Sequence, residues 1–295
     1  MLAIIFGRGR TADMDEPGGI SMLEWLRRRG QTSGAIDRFW RVVLVSALDE
    51  ELDRTDARYG VEVFWKAFLA NRTGYRMGVP AVPLAELYDG CKAAVERKGG
   101  EVLLRAPVRG LRFEGGRVAT LRLDDGREES ADNYILAVPH AALPALLPAE
   151  FLQTEPGLAG IGNLSDSPIT GVHFWFDRPV MTGEFLTVLD STTQWIFNKT
   201  ALYGDGGAGA DGGGQYLQIV ISASYDLQER SRQEIVDLVL REVRQVLPAA
   251  RDAVLTKSTV IKETAATFSP APGCDRWRPK QATSVPGLFL AGDWT

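Results

Sequence analysis

Cysteine and histidine are scarce: the 295 residues hold two of each. Cys91 and Cys274 stand far apart in the chain. They offer neither the spacing of a zinc site nor a disulfide framework, and so few thiols suit a reducing compartment. His140 and His173 are too few for a histidine-rich metal centre, so no metal is expected. Basic charge is also short. Lys and Arg number 33 against 38 Asp and Glu, a net charge of 33 − 38 = −5, and the pI lies near 5.3. That balance argues against a nucleic-acid partner. Long apolar runs are missing as well. No stretch approaches the ~20 residues of a spanning helix. The apolar start Met1–Phe6 is too short for the core of a signal peptide. A transmembrane anchor is therefore not expected, whereas contact with a membrane surface is compatible with all of this.

What is present is an ordinary globular composition, 45% hydrophobic and 24% charged, in a chain long enough for two domains. The pattern predicts a helix over Ser21–Arg29. Ser21 and Glu24 make an S-x-x-E capping box, and Gly30 supplies the stop. A second helix, Ala35–Leu48, follows from Ile36, Phe39, Trp40, Val43, Leu44 and Ala47 at helical spacing. Pro83 opens a third, with Leu84, Leu87, Cys91, Ala94 and Val95 on one side, ending at Gly99-Gly100. Three strands then read as a meander: Glu101–Arg105, Val108–Glu114 and Arg117–Leu123. Tyr134–Val138 is a nearly continuous apolar run, as in a strand buried on both faces, and Pro139 ends it.

A different domain is expected to start near Phe151. Thr170–Phe176 and Tyr216–Ser222 read as strands. Between them lies Gly204–Gly214, seven of whose eleven residues are glycine, which reads as a mobile surface loop. Ser231–Leu247 predicts a strong helix. Ser231 and Glu234 form a second capping box, Ile235, Leu238, Val239, Val243 and Val246 line one face, and Pro248 stops it. Gly287–Ala291 is another buried-strand pattern, and Gly292-Asp293-Trp294-Thr295 follows it.

That final segment carries the most chemistry. A glycine at a strand end admits close approach to the backbone. The carboxylate just beyond can accept hydrogen bonds from ribityl or ribose hydroxyls, as a dinucleotide site requires. Taken alone, the same residues also read as a plain strand-ending turn. A second glycine pattern, Gly7-x-Gly9-x-x-Ala12, is a decoy. Pro17-Gly18-Gly19 interrupts the helix that should follow, and no acid sits at a second strand end. His173 alternates with Val172, Phe174 and Phe176, and its simplest reading is a structural residue. Arg27-Arg28-Arg29 is most simply a solvated helix end that suits the helix dipole.

The terminal segment resembles the C-terminal cofactor motif of the flavin-containing amine oxidase and carotenoid desaturase superfamily. Two further pieces occur in the same order as in that superfamily. One is Gly99-Gly100-Glu101-Val102 with Ala106-Pro107-Val108, and the other is Tyr134-Ile135-Leu136-Ala137-Val138-Pro139. A closer resemblance, from about Ser21 onward, is to hydroxysqualene dehydroxylases. It runs through Trp25-Leu26-Arg27-Arg28, Arg38-Phe39-Trp40 and Val172-His173-Phe174-Trp175-Phe176-Asp177-Arg178-Pro179. It continues in Ala266-Thr267-Phe268-Ser269-Pro270 and Arg278-Pro279.

The resemblance implies an α/β fold with an α+β substrate part: a two-domain, FAD-dependent amine-oxidase-like fold lacking its N-terminal Rossmann βαβ unit. On this reading the chain is cut at both ends and holds FAD weakly by itself. Residues 1–78 and 151–264 would form the substrate domain. Residues 79–150 and 265–295 would form parts of the FAD domain. Val108, Gly292 and Asp293, with Trp294 beside them, would contact the cofactor. Phe174, Phe176, Phe268 and Trp277 would wall an apolar substrate pocket between the domains. No side chain can be named as catalytic acid or base. The implied reaction is reductive dehydroxylation of hydroxysqualene, a C30 isoprenoid, to squalene. The implied location is cytoplasmic, peripheral on the inner face of the membrane. Desaturation of phytoene or another carotenoid, or the reaction of another flavoenzyme of the amine oxidase family, is the alternative, and a non-catalytic or lipid-binding fragment without flavin is the reading from another class.

Overall fold

The computed structural model describes residues 18–155, 157–204 and 213–295. The Met1–Phe6 stretch, the Gly7-x-Gly9-x-x-Ala12 pattern and most of the glycine-rich stretch lie outside the described residues. The strands are β1 (Val108–Glu114), β2 (Arg117–Leu123), β3 (Glu128–Glu129), β4 (Tyr134–Leu136), β5 (Asp166–Phe176), β6 (Phe185–Thr187), β7 (Trp195–Asn198), β8 (Gln215–Ile221), β9 (Leu255–Phe268) and β10 (Leu288–Leu290). The chain falls into two units, one of residues 1–90 with 166–272 and one of residues 91–165 with 273–295. The junctions stand at 90/91, 165/166 and 272/273, where the sequence reading sets them at 78/79, 150/151 and 264/265. The Leu84–Arg97 helix runs through the first of them.

The first unit begins with helices. Ser21 Oγ accepts the Glu24 N–H at 3.2 Å and opens the Met22–Arg28 helix, as its capping sequence predicts. The expected Ala35–Leu48 helix contains a π-helical turn, Ile36–Trp40. The wide turn accompanies an aromatic packing that a 3.6-residue period does not reveal. Trp40 lies 4.4 Å from Phe64, centroid to centroid, and its Nε1 donates to Gln31 Oε1 at 2.9 Å. Met22, Leu26, Leu44 and Phe64 complete this buried cluster.

The same unit holds an antiparallel sheet of order β6-β7-β8-β5-β9. Alternation along β5 sends Val172, Phe174 and Phe176 to one face, where Leu217 and Ile219 of β8 join them. The Arg232–Val246 helix covers that face with Ile235, Val239 and Val243. Burying such side chains contributes roughly 1.5–3 kcal/mol each. Ser231 and Glu234 form the reciprocal capping box read from the sequence. The loop after the Arg41–Leu48 helix bonds to the sheet. Asp49 Oδ1 accepts the Ala223 N–H at 2.9 Å, and Glu50 Oε2 accepts the Tyr225 hydroxyl at 2.7 Å and the Ser269 hydroxyl at 2.5 Å.

The second unit holds a three-stranded sheet, β1-β2-β3, and a parallel pair, β10-β4. In that pair Leu288, Phe289 and Leu290 lie beside Tyr134, Ile135 and Leu136. Two expectations are corrected here. Glu101–Arg105 forms no strand: no partner strand lies beside it, and Leu104 is exposed. The β4 and β10 pair buries one face only, leaving Ile135 and Phe289 outward. The apolar side of the Leu84–Arg97 helix is likewise not buried. Among the described residues no helix is long and apolar enough to cross a membrane, and no three side chains gather as a metal site.

Candidate functional site

Strand β10 ends at Leu290, and Ala291 continues the parallel pairing by donating its N–H to Leu136 O at 3.0 Å. The chain then turns at Gly292 over the indole of Trp294. That indole is 1% exposed and is anchored by Nε1 donating to Val138 O at 3.0 Å. A Cβ at Gly292 would stand 2.4 Å from Trp294 Nε1, so only glycine fits above the buried ring. Arg278 secures the carbonyls that follow. Its Nη2 donates to Asp293 O at 3.0 Å and to Thr295 O at 2.8 Å. The result is a fixed backbone segment with no side chain at Gly292 and with Gly292 and Asp293 both exposed. Val108 opens β1 in the same unit, half-buried and opposite Leu123.

In the first unit, the sheet face turned away from the Arg232–Val246 helix is aromatic. The register sets out its rows. Phe185, Phe197, Gln218, His173 and Thr259 lie side by side across all five strands. Thr187, Trp195, Val220, Gly171 and Ile261 form the next row. Tyr216, Trp175 and Lys257 form a third. Trp175 stacks on Tyr216 at 4.6 Å, and His173 Nδ1 lies 2.7 Å from Tyr216 Oη. Burial lowers the His173 pKa, and the nearby Lys199 charge adds to the effect. Burial raises the Tyr216 pKa, helped by Tyr203. Both directions favour neutral side chains at neutral pH.

A groove of about 260 Å³ opens on this face. Met77, Val79, Pro80, Val82 and Leu84 form one wall, and Phe197, Gln218, Val220, Lys199 and Tyr203 form the other. Lys199 Nζ sits 4.9 Å from the Tyr203 ring centroid, a cation–π contact. A second cleft in this unit, about 420 Å³, is polar, and its acids Glu51, Asp190 and Glu242 are already partnered. Arg41 Nε donates to Glu51 at 2.9 Å, and Glu242 accepts the Thr192 and Thr193 N–H groups at 3.1 and 2.8 Å.

Of the four residues expected to wall a substrate pocket, the three in the first unit do not line a common groove. Phe174 and Phe176 are core residues, 0% and 2% exposed beneath the helix, because alternation points them away from the groove. Phe268 packs on Tyr59, ring centroids 6.2 Å apart. Trp277 belongs to the other unit and packs against Gly160. The aromatic sheet face is instead built from the intervening positions of β5 and their neighbours on β6, β7 and β8. The signal for it lies in period two: once Val172, Phe174 and Phe176 are core, His173 and Trp175 must face outward.

The sequence matches the family described as flavin containing amine oxidoreductase over residues 7–295. It is 24% identical to 15-cis-phytoene desaturase of Solanum lycopersicum over 301 residues, 97% of this chain and 50% of that protein. It is 25% identical to 15-cis-phytoene desaturase of Synechococcus elongatus over 312 residues, 99% of this chain and 63% of that protein. The chain thus spans about half the length of the plant relative. The fold is similar to an oxidoreductase from Methanosarcina mazei, with TM-score 0.74 and 18% identity, covering 99% of this chain and 66% of that one. It is also similar to cyclohexylamine oxidase from Brevibacterium oxydans, with TM-score 0.67 and 14% identity, covering 96% and 64%. The strand-end segment fits a flavin dinucleotide: Gly292 exposes bare backbone there, and a Cβ would collide with the buried indole. This chain belongs to the flavin containing amine oxidoreductase family, whose cofactor is FAD.

Proposed function

We propose that the protein containing this chain is an FAD-dependent oxidoreductase of a long isoprenoid, and that its reaction is the reductive removal of the hydroxyl of hydroxysqualene to give squalene. The observation that carries the reading is the aromatic sheet face with its largely apolar groove. Such a surface suits a ligand made of CH groups, whose affinity comes from apolar burial at about 25 cal/mol per Å². The residue blocks that resemble hydroxysqualene dehydroxylases support the finer assignment. Gly292, Asp293 and Val108 would hold the FAD, which when bound supplies the hydride chemistry. The chain's own residues bind the apolar ligand, keep water from the groove and present neutral polar groups to it. A ligand of this kind dissolves in bilayers, so the full-length protein would work peripherally on the cytoplasmic face of the membrane.

A second reading, desaturation of phytoene or a related carotene, is favoured by the named functions of the relatives in Solanum lycopersicum and Synechococcus elongatus. The test uses the full-length protein with FAD and a reductant, offered hydroxysqualene, phytoene and a polyamine separately. Squalene formed from hydroxysqualene supports the proposal. Phytoene turnover without action on hydroxysqualene selects the second reading, and turnover of the amine alone overturns both.

A further inference from the structure

The middle row of the aromatic face breaks its own pattern. Phe185 and Phe197 lead into it, but Gln218 and His173 occupy its centre. The next row places Trp195, Val220 and Gly171 alongside. His173 uses one ring nitrogen, Nδ1, in the 2.7 Å contact with Tyr216 Oη. Its Nε2 lies over Gly171, where a Cβ would stand 3.5 Å away. Neither His173 Nε2 nor the Gln218 carboxamide has a hydrogen-bond partner among the described residues. Gln218 lines the groove itself.

Resting on the reading above, we propose that His173 and Gln218 form the recognition point for the single oxygen of an otherwise apolar isoprenoid. A hydrocarbon laid over this row would cover two polar groups and satisfy neither, which is a desolvation penalty without return. A hydroxyl both donates and accepts. It can therefore bond an imidazole nitrogen and a carboxamide together, whichever tautomer the Tyr216 contact selects. The absent side chain at Gly171 leaves the Nε2 side of the ring open. Neutrality matters as well. Burial and the Lys199 charge disfavour the imidazolium, so the ring pairs with a hydroxyl without a charge to desolvate. A site built this way rejects the analogue lacking the hydroxyl because its own polar groups then stay unpaired.

The experiment uses the flavin-loaded full-length protein and its His173→Phe and Gln218→Leu variants. Hydroxysqualene and squalene are titrated separately, with tryptophan fluorescence as the readout, since Trp175 and Trp195 share this face. The wild type should prefer hydroxysqualene by roughly tenfold or more, the worth of one or two hydrogen bonds. Each variant should lose most of that preference while binding squalene as well as before. An unchanged ratio in both variants overturns the inference, as does an equal loss of affinity for the two ligands, which would mark a structural role. Binding and turnover of neither ligand by the wild type would overturn the proposed function and this inference with it. Turnover of hydroxysqualene with the preference intact in the variants would overturn this inference alone.

Discussion

Gly292 and Asp293 are adjacent residues with separable tasks. The glycine is there for space. Its missing side chain is what lets the backbone pass over the anchored indole of Trp294. Gly292→Ala should displace the indole or the strand end, and the full-length protein should purify with markedly less flavin. Asp293 is proposed to act through its charge. Asp293→Ala should weaken FAD binding roughly ten- to a hundredfold, the loss of a charge-assisted hydrogen bond worth about 1.5–3 kcal/mol. Flavin titration of both variants checks this, and a dissociation constant unchanged in both would remove the pair from the cofactor site. Asp49 carries a different prediction. It is 5% exposed, sits in the left-handed region at φ 52°, and has a pKa raised from 3.8 to about 6. Burial is the main cause. The Ala223 N–H and the Thr267 hydroxyl oppose it, and the neighbouring Glu50 charge adds to it. Arg54 is paired with Glu50 rather than with Asp49. A carboxyl whose folded pKa is raised stabilises the fold while it is protonated. That contribution is full below about pH 4 and is lost as pH rises through about 6. Asp49→Asn should therefore raise the melting temperature at pH 7.5, and flatten its rise on acidification to pH 5, by an amount equivalent to roughly 1–3 kcal/mol. Asparagine also tolerates the left-handed backbone. An unaltered pH slope would contradict the assignment.

The elements differ in how plainly the sequence announces them. The Arg232–Val246 helix carries its own capping box and a clean apolar stripe, and β8 and the Ile169–Phe176 part of β5 alternate, so all three are readable without a structure. β9 is not. Thr256, Lys257, Ser258 and Thr259 give it a polar beginning, because it is an edge strand paired only with β5, and its lysines blunt that edge. β6 and β7 are short, and β7 gains its pairing from β8 and β6 from β7 rather than from their own pattern. At the candidate cofactor segment, the Gly-Asp turn was legible from the strand run before it. The support from Arg278 and Val138 was not, because those contacts are made across the fold. Phe174 and Phe176 are core rather than pocket residues for the same kind of reason: the aromatic pattern of β5 is visible in the sequence, but which of its two faces the helix covers is not. The elements also differ in expected stability. β5 lies between two long partners and buries a full core face, whereas β4 and β10 form a two-stranded parallel pair with Ile135 and Phe289 exposed. Such a pair is marginal by itself. Hydrogen exchange on this chain should therefore show slow amides along Val172–Phe176 and Leu217–Ile221 and fast ones along Tyr134–Leu136 and Leu288–Leu290. Equal protection of the two sheets would contradict that ranking.

At the scale of the whole molecule, the family match defines an oxidoreductase class, and the proposed apolar ligand rests on the aromatic face of the five-stranded sheet. The direction of electron flow separates the readings within it. Dehydroxylation joins two electrons and two protons to the alcohol and releases water, so hydroxysqualene must oxidise reduced flavin. Desaturation and amine oxidation remove hydride from the substrate, so phytoene or an amine must reduce oxidised flavin. The most direct measurement is therefore an anaerobic single turnover: the full-length protein with its flavin reduced beforehand is mixed with hydroxysqualene, and the oxidised-flavin absorption and the product are followed together. The account predicts return of that absorption with one squalene formed per flavin. A flavin that stays reduced with hydroxysqualene, while the oxidised enzyme is bleached by phytoene or by a polyamine, would contradict it.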